Sequence, residues 1–157
     1  MRIGVVADSH RNDGDLYLVS ERLLDEEVDI IFHLGDNYDD GDILEETGIP
    51  VHRVKGNNDF GEGSFLQKIT VEGISILITH GHHQRVSFFH DGITDKAREL
   101  GCSCVCYGHT HVPYNEYEEG ILVFNPGSLS YPRAGHPKSY GILEVEDGSV
   151  TGQIKKL

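Results

Sequence analysis

Cationic side chains, cysteines and long apolar runs are all scarce in this 157-residue chain. The 13 Lys and Arg stand against 26 Asp and Glu, a formal net charge of −13. That balance argues against broad nucleic-acid binding, which depends on basic surface to neutralise phosphates. A phosphate-bearing substrate would have to be small and drawn in by a local positive site. No stretch approaches the ~20 consecutive apolar residues of a membrane span, so no membrane contact is expected. The opening "MRIGVVADSH" lacks the basic stretch, long apolar region and small-residue cleavage site of a secretory signal. Three cysteines, odd in number and tightly clustered, do not build a secreted disulfide framework. A reducing cytoplasm is therefore expected. Repeats, low-complexity tracts and linkers are also missing, so residues 1–157 should form one domain. Oligomeric state stays open, a homo-oligomer included.

What is present is a set of short, β-branched runs: "RIGVVAD", "DIIFHLGD", "PVHRVKGN", "ISILITHG", "CVCYGH", "ILVFNPG" and "YGILEVED". These read as strands, several of them buried on both faces. "NDGDLYLVSERLLDEEV" places Leu16, Val19, Leu23, Leu24 and Val28 on one helical stripe, with Asn12 or Asp13 as N-cap. "DGITDKARELG" predicts a second helix, capped by Asp91 and stopped at Gly101, and a shorter helix spans Ile43 to Thr47 and ends at Gly48. The pattern predicts a layered α/β domain with a mixed sheet or two packed sheets.

The informative residues follow the apolar runs. Five consecutive strands finish in Asp8 and His10, in Asp36, in Asn57, Asn58 and Asp59, in His80, His82 and His83, and in His109 and His111. Ligands in α/β sheets bind beyond the carboxyl ends of strands, so these groups can converge. A spacing of two within Asp8/His10, His80/His82 and His109/His111 would aim both side chains the same way in extended chain. Asp8, His10, Asp36, Asn57, His80, His109 and His111 are too many ligands for one transition metal and suit two sharing a carboxylate. Oxygen and nitrogen without sulfur favour Mn²⁺, Fe²⁺ or Zn²⁺ over Cu(I) or an iron–sulfur cluster. Two such ions can convert a bridging water to hydroxide and clamp a phosphoryl group for in-line displacement.

The order D-x-H, G-D, G-N-x-D, H-G-H, G-H-T-H resembles that of the calcineurin-like metallophosphoesterase superfamily. The short length and "NPGSLSYPR" are similar to its small YfcE-type phosphodiesterase branch. The resemblance implies a four-layer αββα sandwich with two packed mixed β-sheets. It also implies a di-metal site, often loaded with Mn²⁺ (Zn²⁺, Ni²⁺ or Fe²⁺ are alternatives), that hydrolyses small phosphodiesters. Carried over by position, Asp8, His10 and His111 hold the first metal, Asp36 bridges, and Asn57, His80 and His109 hold the second. Asn58 stands where many relatives carry a histidine that protonates the leaving oxygen, and an amide cannot do that. Leaving groups that need little protonation should then react best, with His82, His83 or a metal-bound water helping the others. Asp59 would order the Asn57–Asn58 turn. Two rival readings are a phosphomonoesterase and a metal-binding protein-interaction scaffold like the eukaryotic retromer subunit of this fold.

Plainer readings apply elsewhere. Cys102, Cys104 and Cys106 would share one strand face with Cβ atoms ~7 Å apart, too far for neighbouring thiolates to share a zinc easily, so they read as small buried hydrophobes. "DNYDDGDILEET" fails as a calcium loop because Tyr38 and Thr47 occupy ligand positions. His33 reads as a hydrogen-bonded core histidine, and His52, His90 and His136 as structural or exposed. Arg133 is either a phosphate contact or a surface arginine, and "NPGS" reads first as a tight turn, the alternative being that Asn125 and Ser128 make polar contacts closing the floor of the site. Short loops predict an open site.

Overall fold

The computed structural model describes residues 1–157. In chain order the elements are β1 (Arg2–Val6), α1 (Asp13–Asp25), β2 (Ile30–His33), α2 (Gly41–Glu45), β3 (Val51–Arg53), β4 (Leu66–Val71) and β5 (Ile74–Thr79). Then come α3 (Asp91–Glu99), β6 (Cys104–Cys106), β7 (Tyr114–Glu118), β8 (Ile121–Asn125), β9 (Ser139–Glu146) and β10 (Ser149–Lys156). They make two five-stranded mixed sheets, ordered β10-β9-β1-β2-β3 and β4-β5-β6-β8-β7. Strands β1, β2 and β3 run parallel, as do β5, β6 and β8, while β4, β7, β9 and β10 each pair antiparallel with their neighbours.

Side-chain alternation along each strand stacks the layers. Ile3, Val5, Phe32, Ile76, Ile78, Cys104, Cys106, Phe124 and Leu143 fill the space between the sheets. Their strand neighbours face outward: Val6, Ile31 and Ile142 meet Leu16, Val19 and Leu23 of α1 and Leu44 of α2. Leu77, Val105 and Val123 meet Ile93 and Ala97 of α3. The result is the four-layer αββα sandwich. No helix is long and apolar enough to cross a membrane.

The helices keep most of the expected detail. Asn12 caps α1, its side chain accepting from the Asp15 N–H at 3.1 Å. Leu24 leaves the apolar stripe and is half exposed, and Val28 is buried beyond the end of the helix. At α3 the N-cap is His90, without a side-chain cap; Asp91 is the first helical residue, where a carboxylate meets the positive end of the helix. The cysteines depart further from expectation. Cys104 and Cys106 point between the sheets with Sγ atoms 3.9 Å apart, whereas Cys102 packs on the α3 side. Separation therefore does not keep Cys104 and Cys106 from sharing a metal. Full burial among apolar side chains does, and it pushes the Cys104 thiol well above its usual range.

Candidate metal centre

The carboxyl ends of β1, β2, β3, β5 and β6 deliver their polar residues to one place, but through bends rather than extended chain. Asp8, His10, Asp36, His109 and His111 all have left-handed backbone, with φ of 53°, 49°, 47°, 69° and 59°. Turns, and not the two-residue repeat of extended chain expected from the spacing, therefore aim these side chains at the centre. Such conformations cost on the order of 1 kcal/mol or more each and need support from their surroundings. Backbone bonds supply part of it, from Asp8 N–H to Gly35 O (3.2 Å) and His10 N–H to Asp36 O (3.1 Å).

A buried network beneath the first turn supplies more. Ser9 Oγ donates to Asp40 Oδ2 at 2.6 Å, and the same oxygen accepts from Arg11 N–H at 2.8 Å. Ser9 has given its only proton away, so His33 Nε2, 3.0 Å from Ser9 Oγ, must be the donor in that contact. The ring is then neutral, with Nδ1 lacking a partner. Burial lowers the proton affinity of His33 to about 4, against the pull of Asp40.

On the far side, Asp59 is the hub of the third block, accepting from the N–H groups of Gly56 (2.6 Å), Tyr38 (2.8 Å) and Asp36 (3.1 Å). Asn58 turns inward and grips both oxygens of Asp36, through N–H at 3.1 Å and Nδ2 at 2.7 Å. Gly56 permits this close approach, since a Cβ there would sit 2.0 Å from Asp36 Oδ1.

Several lone pairs meet at the centre. His80 Nδ1 donates to the Leu34 carbonyl at 2.7 Å and His111 Nδ1 to the Tyr131 carbonyl at 2.6 Å. In a neutral ring that leaves each Nε2 as a bare acceptor. His111 Nε2 lies 3.4 Å from Asp8 Oδ1 and 3.3 Å from His10 Nε2. His80 Nε2 lies 3.1 Å from Asn57 Oδ1, 3.6 Å from Asp36 Oδ2 and 3.9 Å from Asp8 Oδ1. Asn57 Oδ1 is also 3.0 Å from His109 Nδ1, and Asp36 Oδ2 is 4.0 Å from His10 Nε2. Asp8 Oδ2 accepts from His109 N–H at 2.9 Å, but its buried Oδ1 has no donor at all.

Acceptors facing acceptors in a buried site are costly unless cations or protons lie between them. Two groups of ligand atoms are close enough to hold an ion, Asp8–His10–His111 and Asp8–Asp36–His80. Their oxygen-and-nitrogen chemistry fits hard or borderline divalent metals. Asp8 is common to both groups, and Asp36 lies between the His10 and His80 rings.

The electrostatics differ across the site. Burial lowers the His111 imidazole, but the Asp8 carboxylate close by and the Tyr131 carbonyl reverse this and leave it raised. His109 is lowered by burial and by His80. His82, its ring 5.4 Å from His80 and 4.0 Å from His83, is lowered to about 4, by burial first and then by His83, His80 and His109. It is a neutral ring at pH 7, with Nδ1 buried and unpartnered.

Some contributors were not legible in the sequence. Ser9, His33 and Asp40 form the network described above, and only the buried His33 inside an apolar run hinted at it. "NPGS" follows its alternative reading instead of the plain tight turn: Ser128 Oγ donates to the Asp8 carbonyl at 2.9 Å and Asn125 Nδ2 to the Gly108 carbonyl at 3.1 Å. His90 is structural, bridging Glu118 at 2.7 Å and the Tyr107 hydroxyl at 2.9 Å.

Comparison with known proteins agrees with this architecture. Residues 1–148 match the calcineurin-like phosphoesterase superfamily domain. Phosphodiesterase YfcE of Escherichia coli K12 is 33% identical over 128 residues, covering 71% of this chain and 66% of YfcE. A crystal structure of a predicted phosphoesterase from Streptococcus pneumoniae TIGR4 superposes with TM-score 0.86 at 30% identity, over 99% of this chain and 88% of that one. Wild-type Vps29 from Entamoeba histolytica, complexed with Zn²⁺, shares the fold with TM-score 0.78 at 24% identity, over 99% and 98% of the two chains.

Proposed function

The chain belongs to the calcineurin-like phosphoesterase superfamily, and on that premise we propose that it is a di-metal phosphodiesterase for small phosphodiesters. The observation that carries this reading is the set of unprotonated donor atoms around Asp8 Oδ1. Asp8, His10 and His111 would hold one divalent cation, Asn57, His80 and His109 the second, with Asp36 between them and Asp8 Oδ1 within reach of both. Mn²⁺ is the favoured ion, and Zn²⁺, Ni²⁺ and Fe²⁺ also suit the donor set. When bound, the pair supplies a water-derived nucleophile at neutral pH and neutralises charge on the phosphoryl group. The three free, buried cysteines suit a reducing cytoplasm.

The residues around the cations have separable tasks in this reading. Asn58 is committed to Asp36, so it positions a carboxylate and delivers no proton to the leaving oxygen. Asp59 holds the loops that carry Asp36 and Asn57. The neutral His82 ring offers a hydrogen bond to a phosphoryl oxygen and is a poor proton store at pH 7. Leaving groups that need little help should therefore react best.

The test is chelator-stripped protein, reloaded with each ion and assayed on a nitrophenyl diester and its monoester. Metal-dependent turnover favouring the diester is expected. Preference for the monoester would make the protein a phosphomonoesterase. No turnover by metal-replete protein would favour the scaffold reading, since a fold shared with Vps29 does not by itself imply activity.

A further inference from the structure

Beside Asp8, His10 and His111 opens a cleft of about 540 Å³, lined by His10, His111, Tyr131, Pro132 and Arg133. Three of those residues have no part in the chemistry above. We propose that the cleft receives a planar aromatic ester arm of the substrate, stacked on Tyr131 and Pro132, with the Arg133 guanidinium on a phosphate oxygen. The proposal rests on the phosphodiesterase reading and makes aryl or nucleoside phosphodiesters the preferred substrate class.

The wall is built rigidly onto the candidate ligands. Tyr131 N–H donates to Ser128 Oγ at 2.8 Å, which in turn donates to the Asp8 carbonyl. The Tyr131 carbonyl accepts from His111 Nδ1, and Arg133 N–H donates to the His111 carbonyl at 3.2 Å. Any shift of this segment would therefore move Asp8 and His111 with it. Held in that way, the Tyr131 side chain is still 56% exposed. The ring of His10 meets it edge-on, at 5.4 Å and 87°. A preordered, half-exposed aromatic offers a ligand contact area at little entropic cost.

Arg2, Arg53 and Arg98 are each paired with carboxylates. Four arginines of this acidic chain, Arg11, Arg22, Arg85 and Arg133, have no carboxylate partner, and of these Arg133 alone borders the cleft. A free guanidinium fork suits two phosphate oxygens. On the opposite margin the rings are already used on one another, His82 against His83 at 4.0 Å and Phe65 against His83 at 4.7 Å. That leaves the Tyr131 side for the arm, and the cleft volume lies in the range of small-ligand sites.

The test compares 4-nitrophenyl phosphodiesters that share one leaving group and differ in the other arm: ethyl, phenyl or 5′-thymidinyl. In Mn²⁺-loaded protein the phenyl and thymidinyl arms should raise kcat/KM about tenfold over ethyl, roughly the worth of one aromatic stack. Tyr131→Ala should bring that ratio to within about twofold, through KM, and Tyr131→Phe should keep it. Arg133→Ala should lower kcat/KM on all three substrates alike. Thymidinyl above phenyl supports a nucleoside arm, and equality supports a simple aryl arm. Equal rates for ethyl and aryl arms, or a ratio unmoved in Tyr131→Ala, would overturn the proposal. Calorimetric affinities for thymidine 5′-methylphosphonate and ethyl methylphosphonate repeat the comparison without turnover. An absence of diester hydrolysis with the thymidine preference intact would sink the phosphodiesterase reading and keep the cleft; no preference would sink the cleft alone.

Discussion

Asp8, His10 and His111 are braced from far along the chain, through Ser128 and Tyr131 on one side and through the Ser9–His33–Asp40 network beneath. The Asn57 side leans instead on one short turn, whose Asp59 and Asn58 act on Asp36, and on the Leu34 carbonyl that holds His80. Burial follows the same division. Asp8 and His111 are buried, whereas the Asn57 side of the cluster opens to solvent, although His80 beneath it is fully buried. The lesson is that the first half should respond to global stability and the second to the fate of one loop.

The largest test abolishes the contrast. Asp8 belongs to both ligand groups, so Asp8→Ala should strip both halves together. Metal content by elemental analysis should fall towards none, and diester turnover should drop on the order of a thousandfold or more. Retention of one full equivalent of metal would show that Asp8 is not shared.

The next test separates the halves. Asp59→Ala removes the acceptor for three N–H groups, at a cost of about 3 kcal/mol. It should lower metal occupancy from two equivalents towards one and reduce turnover about 100-fold. Equal loss from both halves would erase the distinction between local and distant bracing.

The smallest effect acts through the first half's foundation and depends on pH. His33 titrates near 4 in the fold and near 6.5 when unfolded. Between those values the unfolded chain binds more protons. The stabilisation is thus complete above pH 6.5 and is lost as pH falls, levelling off below about 4. Its full size is roughly 3 kcal/mol. Urea titrations across that window should show the slope, to which His82 adds with the same sign, and His33→Gln should reduce it without removing it.

How much of this was legible depended on burial. Strands β1, β2, β5, β6, β8 and β9 lie inside their sheets or between covered faces and stand out as apolar runs. The strands without a clear apolar run, β4, β7 and β10, are all sheet edges, and β3 is the one edge strand that the sequence does mark, in "PVHRVKGN". "YNEYE" and "SVTGQIKK" are polar because one side of an edge strand remains in water. The candidate ligands were legible because Asp, Asn and His stand where strands run out. Most of their bracing was not, because Ser9 and Asp40 are common residues whose roles arise only from long-range contact, and only Ser128 stood where a strand end could offer it to the site. Backbone handedness at Asp8, His10, His109 and His111 was likewise beyond a reading of spacing alone.

The crowd of bare electron pairs around Asp8 has an acid–base consequence. Where no cation sits, protons are the available glue, and the raised affinity of His111 shows one place they would gather. Metal uptake should then expel hydrogen ions into the medium, and mild acidity should compete with metal much as a chelator does.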